Sequence, residues 1–471
     1  MTYLTESAIE AFAIKLLERQ GWRHLHGAVI APDGDAPERA RYSQVLLHER
    51  LTQAVRRINH RLPAQAAELA IKEVQRYSSP ELLDANEHWH RWMTEGVTVE
   101  LQHEGQTRGE RVWLIDFARP EANDLLVVNQ FTVAQDEQRQ ADRKRLDLVL
   151  FVNGLPLVVV ELKNAGSEGA TLRTAYQQVE TYKHTLPALF HTHAFSVISD
   201  GLEARAGSLS AGFSRFMAWK SADGKAEASH LVSQLETLVL GMLPPATLLD
   251  LLRHFIVFEK AQKVDLETGQ VTISTVKKLA AYHQYYAVNA AVASTLRAAN
   301  LSAPRAAPAA REAPAAYGVP GVKDQPSGDR KAGVVWHTQG SGKSLSMVFY
   351  TGKIVLAMDN PTVLVLTDRN DLDDQLFDTF AASRQLLRQE PVQAESREHL
   401  KALLKVAAGG VVFSTVQKFQ PASGNVHDEL SPRRNIVVIA DEAHRTQYGF
   451  EARMVDVKDA SGTVVGKKLV Y

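Results

Sequence analysis

The 471-residue sequence contains no cysteine. That excludes disulfides and thiolate zinc sites and fits a reducing cytoplasm. It also has almost no net charge, with 53 Lys and Arg against 54 Asp and Glu leaving a formal −1 at pH 7. A globally polycationic nucleic-acid binder is excluded, so any DNA contact must come from local basic patches. No apolar stretch approaches membrane-spanning length; the best, around Leu155 to Leu162, is the size of a strand. The opening Met1-Thr2-Tyr3-Leu4-Thr5-Glu6 lacks the basic and apolar regions of a signal peptide, and there are no internal repeats. The expectation is a soluble cytoplasmic protein with no membrane partner and room for two or three domains.

What is present changes character along the chain. Apolar residues at Ile9, Phe12, Ala13, Leu16 and Leu17 mark one face of a helix over Ala8 to Gln20, ended by Gly21. A second helix is expected from Ser43 through Ile58. From Gly96 the pattern turns to short β-rich runs: Val97–Leu101, Val112–Phe117, Leu125–Phe131, Leu146–Val152, Leu157–Leu162 and Ala194–Ile198. Helical spacing returns at Ala175–Lys183 and from Glu227 to Phe258. Beyond about residue 260 a βαβ rhythm begins, with strands expected near 334, 363, 411 and 436. Ala298 to Arg330, rich in Ala and Pro, cannot bury much apolar surface and reads as an inserted loop. The fold class expected is α/β, in two domains, 1–258 and 259–471.

Two motifs carry nucleotide chemistry. Thr338-Gln339-Gly340-Ser341-Gly342-Lys343-Ser344 follows the strand-like Gly333-Val334-Val335-Trp336. Glycines there let backbone N–H groups close around phosphates. Lys343 adds a point charge for the terminal phosphates, and the Ser344 hydroxyl can ligate Mg²⁺. Asp441-Glu442-Ala443-His444 ends the apolar run Asn435 to Ala440, as a buried strand would deliver acids to the C-terminal edge of a parallel sheet. Asp441 would hold the same Mg²⁺ and Glu442 would polarise the attacking water. The full phosphate-loop pattern begins with Gly where this chain has His337; the shorter form built on Thr338, Gly340, Ser341, Gly342, Lys343 and Ser344 resembles that of superfamily-2 helicases. Tyr282-His283-Gln284 resembles their Q motif, which implies that Gln284 pairs with adenine.

A second chemistry sits in the β-rich half. Two apolar runs flank Asn153-Gly154, a strong hairpin signal. Glu161 and Lys163, two apart in an apolar strand, share a face, where unlike charges are costly unless they pair or ligate something. With a plain two-residue turn Asp147 would lie opposite Val160, on the wrong face. A three-residue loop centred on Gly154, or a bulge near Pro156, brings it across from Glu161. Only that shifted register allows two carboxylates to share Mg²⁺ while Lys163 activates a water against a phosphodiester. The set resembles the core of PD-(D/E)xK nucleases, with Leu146 in place of the usual Pro. Gln178 and Tyr182, four apart, resemble the QxxxY motif of the RecB-like branch. Glu6 or Glu10 from the first helix is a candidate further acid. Arg139, Arg143, Lys144 and Arg145 could grip phosphates. His88-Trp89-His90 and His191-Thr192-His193 lack complementary ligands at metal-site spacing.

Nuclease motifs first and motor motifs second, together with Asn129-Gln130-Phe131, Glu161-Leu162-Lys163-Asn164, Trp336 through Ser344, Thr367-Asp368-Arg369-Asn370-Asp371-Leu372-Asp373 and Asp441 through Arg445, resemble the restriction (R) subunit of type I restriction-modification enzymes. The resemblance implies a PD-(D/E)xK nuclease domain, a mixed sheet flanked by helices, followed by a RecA-like parallel-sheet motor lobe. It implies ATP and Mg²⁺ as cofactors and double-stranded DNA as substrate. It also implies methyltransferase (M) and specificity (S) subunits as partners. Such subunits continue into a second motor lobe that brings an arginine to ATP, whereas this sequence stops at Tyr471. It is read as part of a longer protein, expected by itself to bind ATP weakly and hydrolyse little. An autonomous helicase-nuclease and a catalytically silent interaction fragment are the alternatives.

Overall fold

The computed structural model describes residues 5–77, 79–103, 106–136, 143–164, 171–264, 271–301, 326–367, 370–419, 429–442, 453–458 and 464–470. The chain divides into two compact units, 1–338 and 339–471. In the first, α1 (Glu6–Glu18) and β1 (Arg23–His26) are followed by α2 (His48–Ile58), α3 (Ala64–Arg76) and α4 (Leu82–Glu95). A hairpin of β2 (Val97–His103) and β3 (Gln106–Val112) leads to β4 (Leu125–Val133), β5 (Lys144–Val152) and β6 (Leu155–Leu162). Then come α5 (Leu172–Thr185), β7 (Phe195–Ser199), β8 (Ala204–Gly207), α6 (Gln234–Met242) and α7 (Pro245–His254). The hairpin β9 (Ile256–Val264) and β10 (Val271–Leu279) and the helix α8 (Tyr282–Ala298) complete the unit's regular elements.

A six-stranded mixed sheet, ordered β1-β4-β5-β6-β7-β8, forms the centre of this unit. β1 runs parallel to β4 and β6 parallel to β7, while β4, β5 and β6 are mutually antiparallel neighbours. Every residue of β6 is buried, as its unbroken apolar run requires. On one face Val149, Phe151 and Val159 pack with Ala175, Val179 and Tyr182 of α5. That helix starts at a reciprocal cap between Thr171 and Thr174, which satisfies two otherwise orphaned N–H groups.

The β5–β6 connection settles the register. Asn153 and Gly154 take φ of 53° and 79°, the left-handed pair of a two-residue hairpin turn, and Val152 pairs with Leu155. Gly154 admits no side chain, since a Cβ would meet Leu47 O at 2.4 Å. The Asn153 side chain holds the turn by accepting from Asp124 N and donating to Leu114 O and Asn123 Oδ1. Beside Pro156 the pairing then slips: Phe151 faces Pro156, but Leu150 faces Val158 and Leu148 faces Val160. Leu157 is the extra residue of a bulge, placed next to a proline that has no N–H to give the ladder. One further step along this register sets Asp147 level with Glu161.

In the second unit α9 (Lys343–Ala357), β11 (Thr362–Thr367), α10 (Asn370–Ala382), α11 (Arg384–Leu387), β12 (Pro391–Gln393), α12 (Arg397–Leu403), β13 (Val411–Thr415) and β14 (Ile436–Ala440) precede a hairpin of β15 (Arg453–Lys458) and β16 (Val464–Val470). Four strands make an all-parallel sheet, ordered β12-β13-β11-β14. The molecule is thus α/β, with parallel strands in both large sheets. Among the described residues no single helix is long and apolar enough to cross a membrane.

Several sequence expectations need correction. The strand expected at Gly333–Trp336 does not form; among the described residues no strand pairs with it, and Val334 and Trp336 are 91% and 90% exposed. A lone extended run has no ladder to hold it. Val112–Phe117 is strand only at Val112; beyond it the chain turns into a loop fixed by Asn59, which bonds both N and O of Trp113. The helix expected from Glu227 to Phe258 starts at Gln234 and bends by 73° between α6 and α7, because Pro244 and Pro245 cannot continue a helical ladder. Of the Ala/Pro-rich insertion, 302–325 lies outside the described residues. Its flanks converge on Arg297, which donates to Pro326 O and Lys331 O and pairs with Asp329. The insertion therefore leaves and rejoins the fold at one place.

Candidate active sites

The bulged hairpin, α1 and α5 bring Asp147, Glu161, Lys163, Glu6 and Tyr182 together at one end of the first sheet. Glu161 is 2% exposed. Its Oε1 accepts from Lys163 Nζ at 2.5 Å, while its Oε2 has no hydrogen-bond partner. Asp147 Oδ2 accepts from Leu162 N at 2.7 Å. Lys163, half-buried, also donates to Leu162 O and lies 3.6 Å from Glu6 Oε1. Tyr182, buried, donates to Arg145 O at 3.3 Å, and Gln178 sits one turn before it on α5.

Burial dominates the electrostatics of this cluster. It lifts the Asp147 carboxyl to about 6, against the Leu162 N–H and Lys163, with Glu6 and Glu10 adding to the rise. It lifts Glu161 to about 7, reinforced by the charge of Asp147 and opposed by Lys163. For Lys163 burial acts downward but is outweighed by Glu161, Asp147 and Glu6, so the ammonium persists above its usual range. Burial, with both carboxylates, also pushes the Tyr182 phenol far up, so it stays a neutral donor.

A carboxyl raised in the fold stabilises it fully below its unfolded value and loses that contribution as pH climbs through the folded value. For Glu161 the window runs from about 4.5 to about 7, and the contribution at stake is on the order of 2–3 kcal/mol. Without divalent metal, Glu161→Gln should match the parent's melting temperature at pH 5 and exceed it by several degrees at pH 8. Equal melting temperatures at both values would show that the buried carboxylate costs nothing.

The first helix adds an arrangement that sequence reading did not assign. Glu10 Oε1 accepts from Asn129 Nδ2 at 2.8 Å, and its Oε2 accepts from Gln130 Nε2. Asn129 Oδ1 in turn meets His24 Nε2 at 2.8 Å. Asn129-Gln130-Phe131 carried only a family likeness in the sequence, because nothing in strand periodicity tells that Gln130 will take a φ of 53°. Of the basic residues nearby, Arg143 stacks on Tyr42 at 3.9 Å and Arg145 is exposed on β5; Arg139 lies outside the described residues. His193 is buried against Ser196. Among the described residues no group of three or more His, Asp or Glu is gathered as a metal cage.

The second expected site is built at the edge of the parallel sheet. Gly340 and Gly342 have φ of 78° and 81°, conformations an L side chain resists. Gly342 starts α9 with no side-chain cap, and helix N-termini are where backbone N–H groups bind anions. Lys343 Nζ lies 3.3 Å from Glu442 Oε1. Asp441 is anchored by donating its N–H to Leu366 O, and its Oδ1 accepts from Glu442 N. Burial raises the Asp441 carboxyl, opposed by that N–H and by Lys343. Ser341 and Ser344 are half-buried, and Thr338 is exposed at the end of the first unit. Gln284, in the first unit, is buried and accepts from Ala281 N at 2.9 Å, closing the first turn of α8. Asp368, Arg369 and 443–450 lie outside the described residues.

Comparison with known proteins matches these two regions separately. Residues 3–215 match the family described as type I restriction enzyme R protein N terminus, and residues 283–461 match the SWI2/SNF2 ATPase family. The chain is 39% identical over 470 residues to the type I restriction enzyme HindI endonuclease subunit of Haemophilus influenzae, covering 98% of this chain and 41% of that protein. It is 31% identical over 479 residues to the putative type I restriction enzyme MjaIXP endonuclease subunit of Methanocaldococcus jannaschii, covering 97% and 43%. The SauMSSORF170P endonuclease subunit of Staphylococcus aureus is 25% identical over 347 residues. The chain spans about two fifths of the length of the first two relatives.

Proposed function

We propose that this chain, which carries the N-terminal region of a type I restriction enzyme R protein followed by an SWI2/SNF2 ATPase region, is the nuclease and first motor lobe of a type I restriction endonuclease subunit. The observation that carries the nuclease half is the bulge beside Pro156, which brings Asp147 level with Glu161 and leaves Lys163 at 2.5 Å from that carboxylate. On this reading the first sheet is a PD-(D/E)xK core and the parallel sheet a RecA-like lobe, with the nuclease domain over 1–258 and the motor lobe over 259–471.

The residues fit Mg²⁺. A buried carboxylate oxygen with no partner, Glu161 Oε2, is costly unless a cation or water meets it. Asp147 and Glu161 would supply the protein ligands, leaving the remaining positions to water and phosphate, as this ion prefers. When bound, the ion offsets carboxylate and phosphate charge and acidifies a water. Lys163, already held by Glu161, would orient a water and stabilise charge developing on the phosphodiester. Tyr182 remains a neutral donor, with Gln178 beside it on α5. In the second unit Gly340, Ser341, Gly342 and Lys343 would cradle the phosphates of ATP, and Ser344 and Asp441 would hold its Mg²⁺; the motif likeness adds Thr338, the last residue of the first unit. Glu442 positions the attacking water, and Gln284 reads adenine.

The substrate is unmodified double-stranded DNA, and methyltransferase and specificity subunits complete the enzyme in the cytoplasm. The full subunit, reconstituted with those partners, should cut an unmethylated plasmid only with both ATP and Mg²⁺ and should spare the methylated plasmid. ATP-dependent cutting by the subunit without partners would instead mark an autonomous helicase-nuclease.

A further inference from the structure

Within the nuclease reading, the least explained feature is the backbone of Gln130. It is a non-glycine residue at φ 53° inside a central strand, where left-handed geometry is disfavoured. The register on either side is unbroken, with Asn129 facing Leu148 and Phe131 facing Leu146, so Gln130 stands across from Asp147. Such conformations persist only where surrounding structure enforces them. Here the turn after β1 does so: Gly27 N donates to Asn129 O at 2.7 Å, and a Cβ on Gly27 would fall 2.4 Å from Gln130 O. Beyond the kink, Phe131 turns into the core against Phe151, ring centroids 5.2 Å apart.

We propose that Asn129 and Gln130 are positioning residues of the nuclease centre, whose side-chain amides clamp both oxygens of Glu10 and hold that carboxylate in place beside Asp147 and Glu161. The chemistry of the clamp is one-directional. Both amides donate, so each Glu10 oxygen serves as an acceptor. Because Asn129 spends its Nδ2 on Glu10, its Oδ1 must accept, and His24 Nε2 carries the proton that meets it. Three elements are thereby fixed at one point: α1 through Glu10, β1 through His24 and β4 through the two amides. The strained φ of Gln130 is how β4 turns an amide toward α1 while its neighbours stay in the ladder. Glu10 would then be held at the centre to accept from a water that the metal carries, and the proposal rests on Asp147 and Glu161 being the metal's ligands.

The test measures Mn²⁺ binding to the purified chain by calorimetry, without nucleotide. Gln130→Gly removes the amide but suits the left-handed backbone, so its melting temperature should hold or rise. A purely structural Gln130 would then leave Mn²⁺ affinity unchanged. The clamp instead requires Gln130→Gly and Glu10→Gln each to weaken it by about 10-fold or more, as loss of an outer-shell partner does. The double variant should be no weaker than either single one, because both act through the same carboxylate. If Glu161→Gln abolishes Mn²⁺ binding while Gln130→Gly and Glu10→Gln match the parent, the clamp is refuted and the nuclease centre stands. If Glu161→Gln binds Mn²⁺ like the parent, the nuclease reading falls and takes the clamp with it.

Discussion

Glu161→Ala in the assembled enzyme is expected to abolish DNA cleavage while ATP binding stays at the parent's level. On the nuclease reading Glu161 would contribute twice, as a metal ligand through its buried Oε2 and as the anchor of Lys163. Its loss removes metal and misplaces the ammonium together, so the rate should fall by at least about 10³-fold, beyond the cost of one oriented donor alone. Asp147→Ala and Lys163→Ala should do the same, since Asp147 has no substitute across the bulge and Lys163 is the cation bound directly to Glu161. Asp147 and Glu161 also give the defect a signature. Both carboxyls are lifted by burial, to about 6 and about 7, and must lose their protons before a metal binds. Mg²⁺ affinity of the parent should therefore climb as pH rises from 6 to 8. Plasmid cleavage, nucleotide affinity and metal affinity measured on the same preparations check all three statements; Mg²⁺-dependent cutting that survives Glu161→Ala would remove the nuclease from this site.

The arrangement of that site was legible in the sequence to the extent that parity could speak. Alternation placed Glu161 and Lys163 on one face, and the requirement that Asp147 reach them demanded an odd loop or a bulge near Pro156. The structure uses the bulge and keeps the two-residue turn. Helix α1 could be read from its apolar stripe, since Ile9, Ala13, Leu16 and Leu17 are all buried. By contrast, α3 buries Ala66, Ala67 and Ala70 together with Ile71 and Val74; three of the five are alanines, which sequence alone does not tell from surface residues, and no helix is expected there from the sequence. The run Gly333–Trp336 failed in the opposite sense, having strand composition but no strand beside it. β-propensity registers fit to a pleated, half-buried surface and not an intrinsic backbone choice.

The clamp on Glu10 shows what composition cannot reveal. A glutamate in the first turns of a helix is ordinarily solvated, and the sequence offers Glu10 only as an alternative to Glu6. Its partners lie more than a hundred positions away, on a strand whose kink has no glycine to announce it. Only the close approach of Gly27 explains why the kink forms at Gln130. Long-range enforcement of a strained residue leaves no local signature, and strained residues gather where function is built.

Lys343→Ala in the full subunit should abolish ATP-dependent translocation and leave Mn²⁺ binding at Asp147 and Glu161 intact. Loss of a charge-assisted contact to phosphate should weaken ATP binding by about 10- to 100-fold. The pairing of Lys343 with Glu442 at 3.3 Å adds a second consequence that separates the two residues. In the nucleotide-free lobe that contact occupies the ammonium, so ATP must compete with Glu442 for it. Glu442→Gln removes the competing charge and should bind ATP at least as tightly as the parent. If Glu442 orients the attacking water, as proposed, the same change should lower turnover by about 10²- to 10⁴-fold. One substitution thus loses affinity and the other loses turnover with affinity kept. Equilibrium binding of a fluorescent ATP analogue beside steady-state hydrolysis distinguishes them. If Glu442→Gln lost affinity as Lys343→Ala does, Glu442 would be holding the site together rather than acting on water.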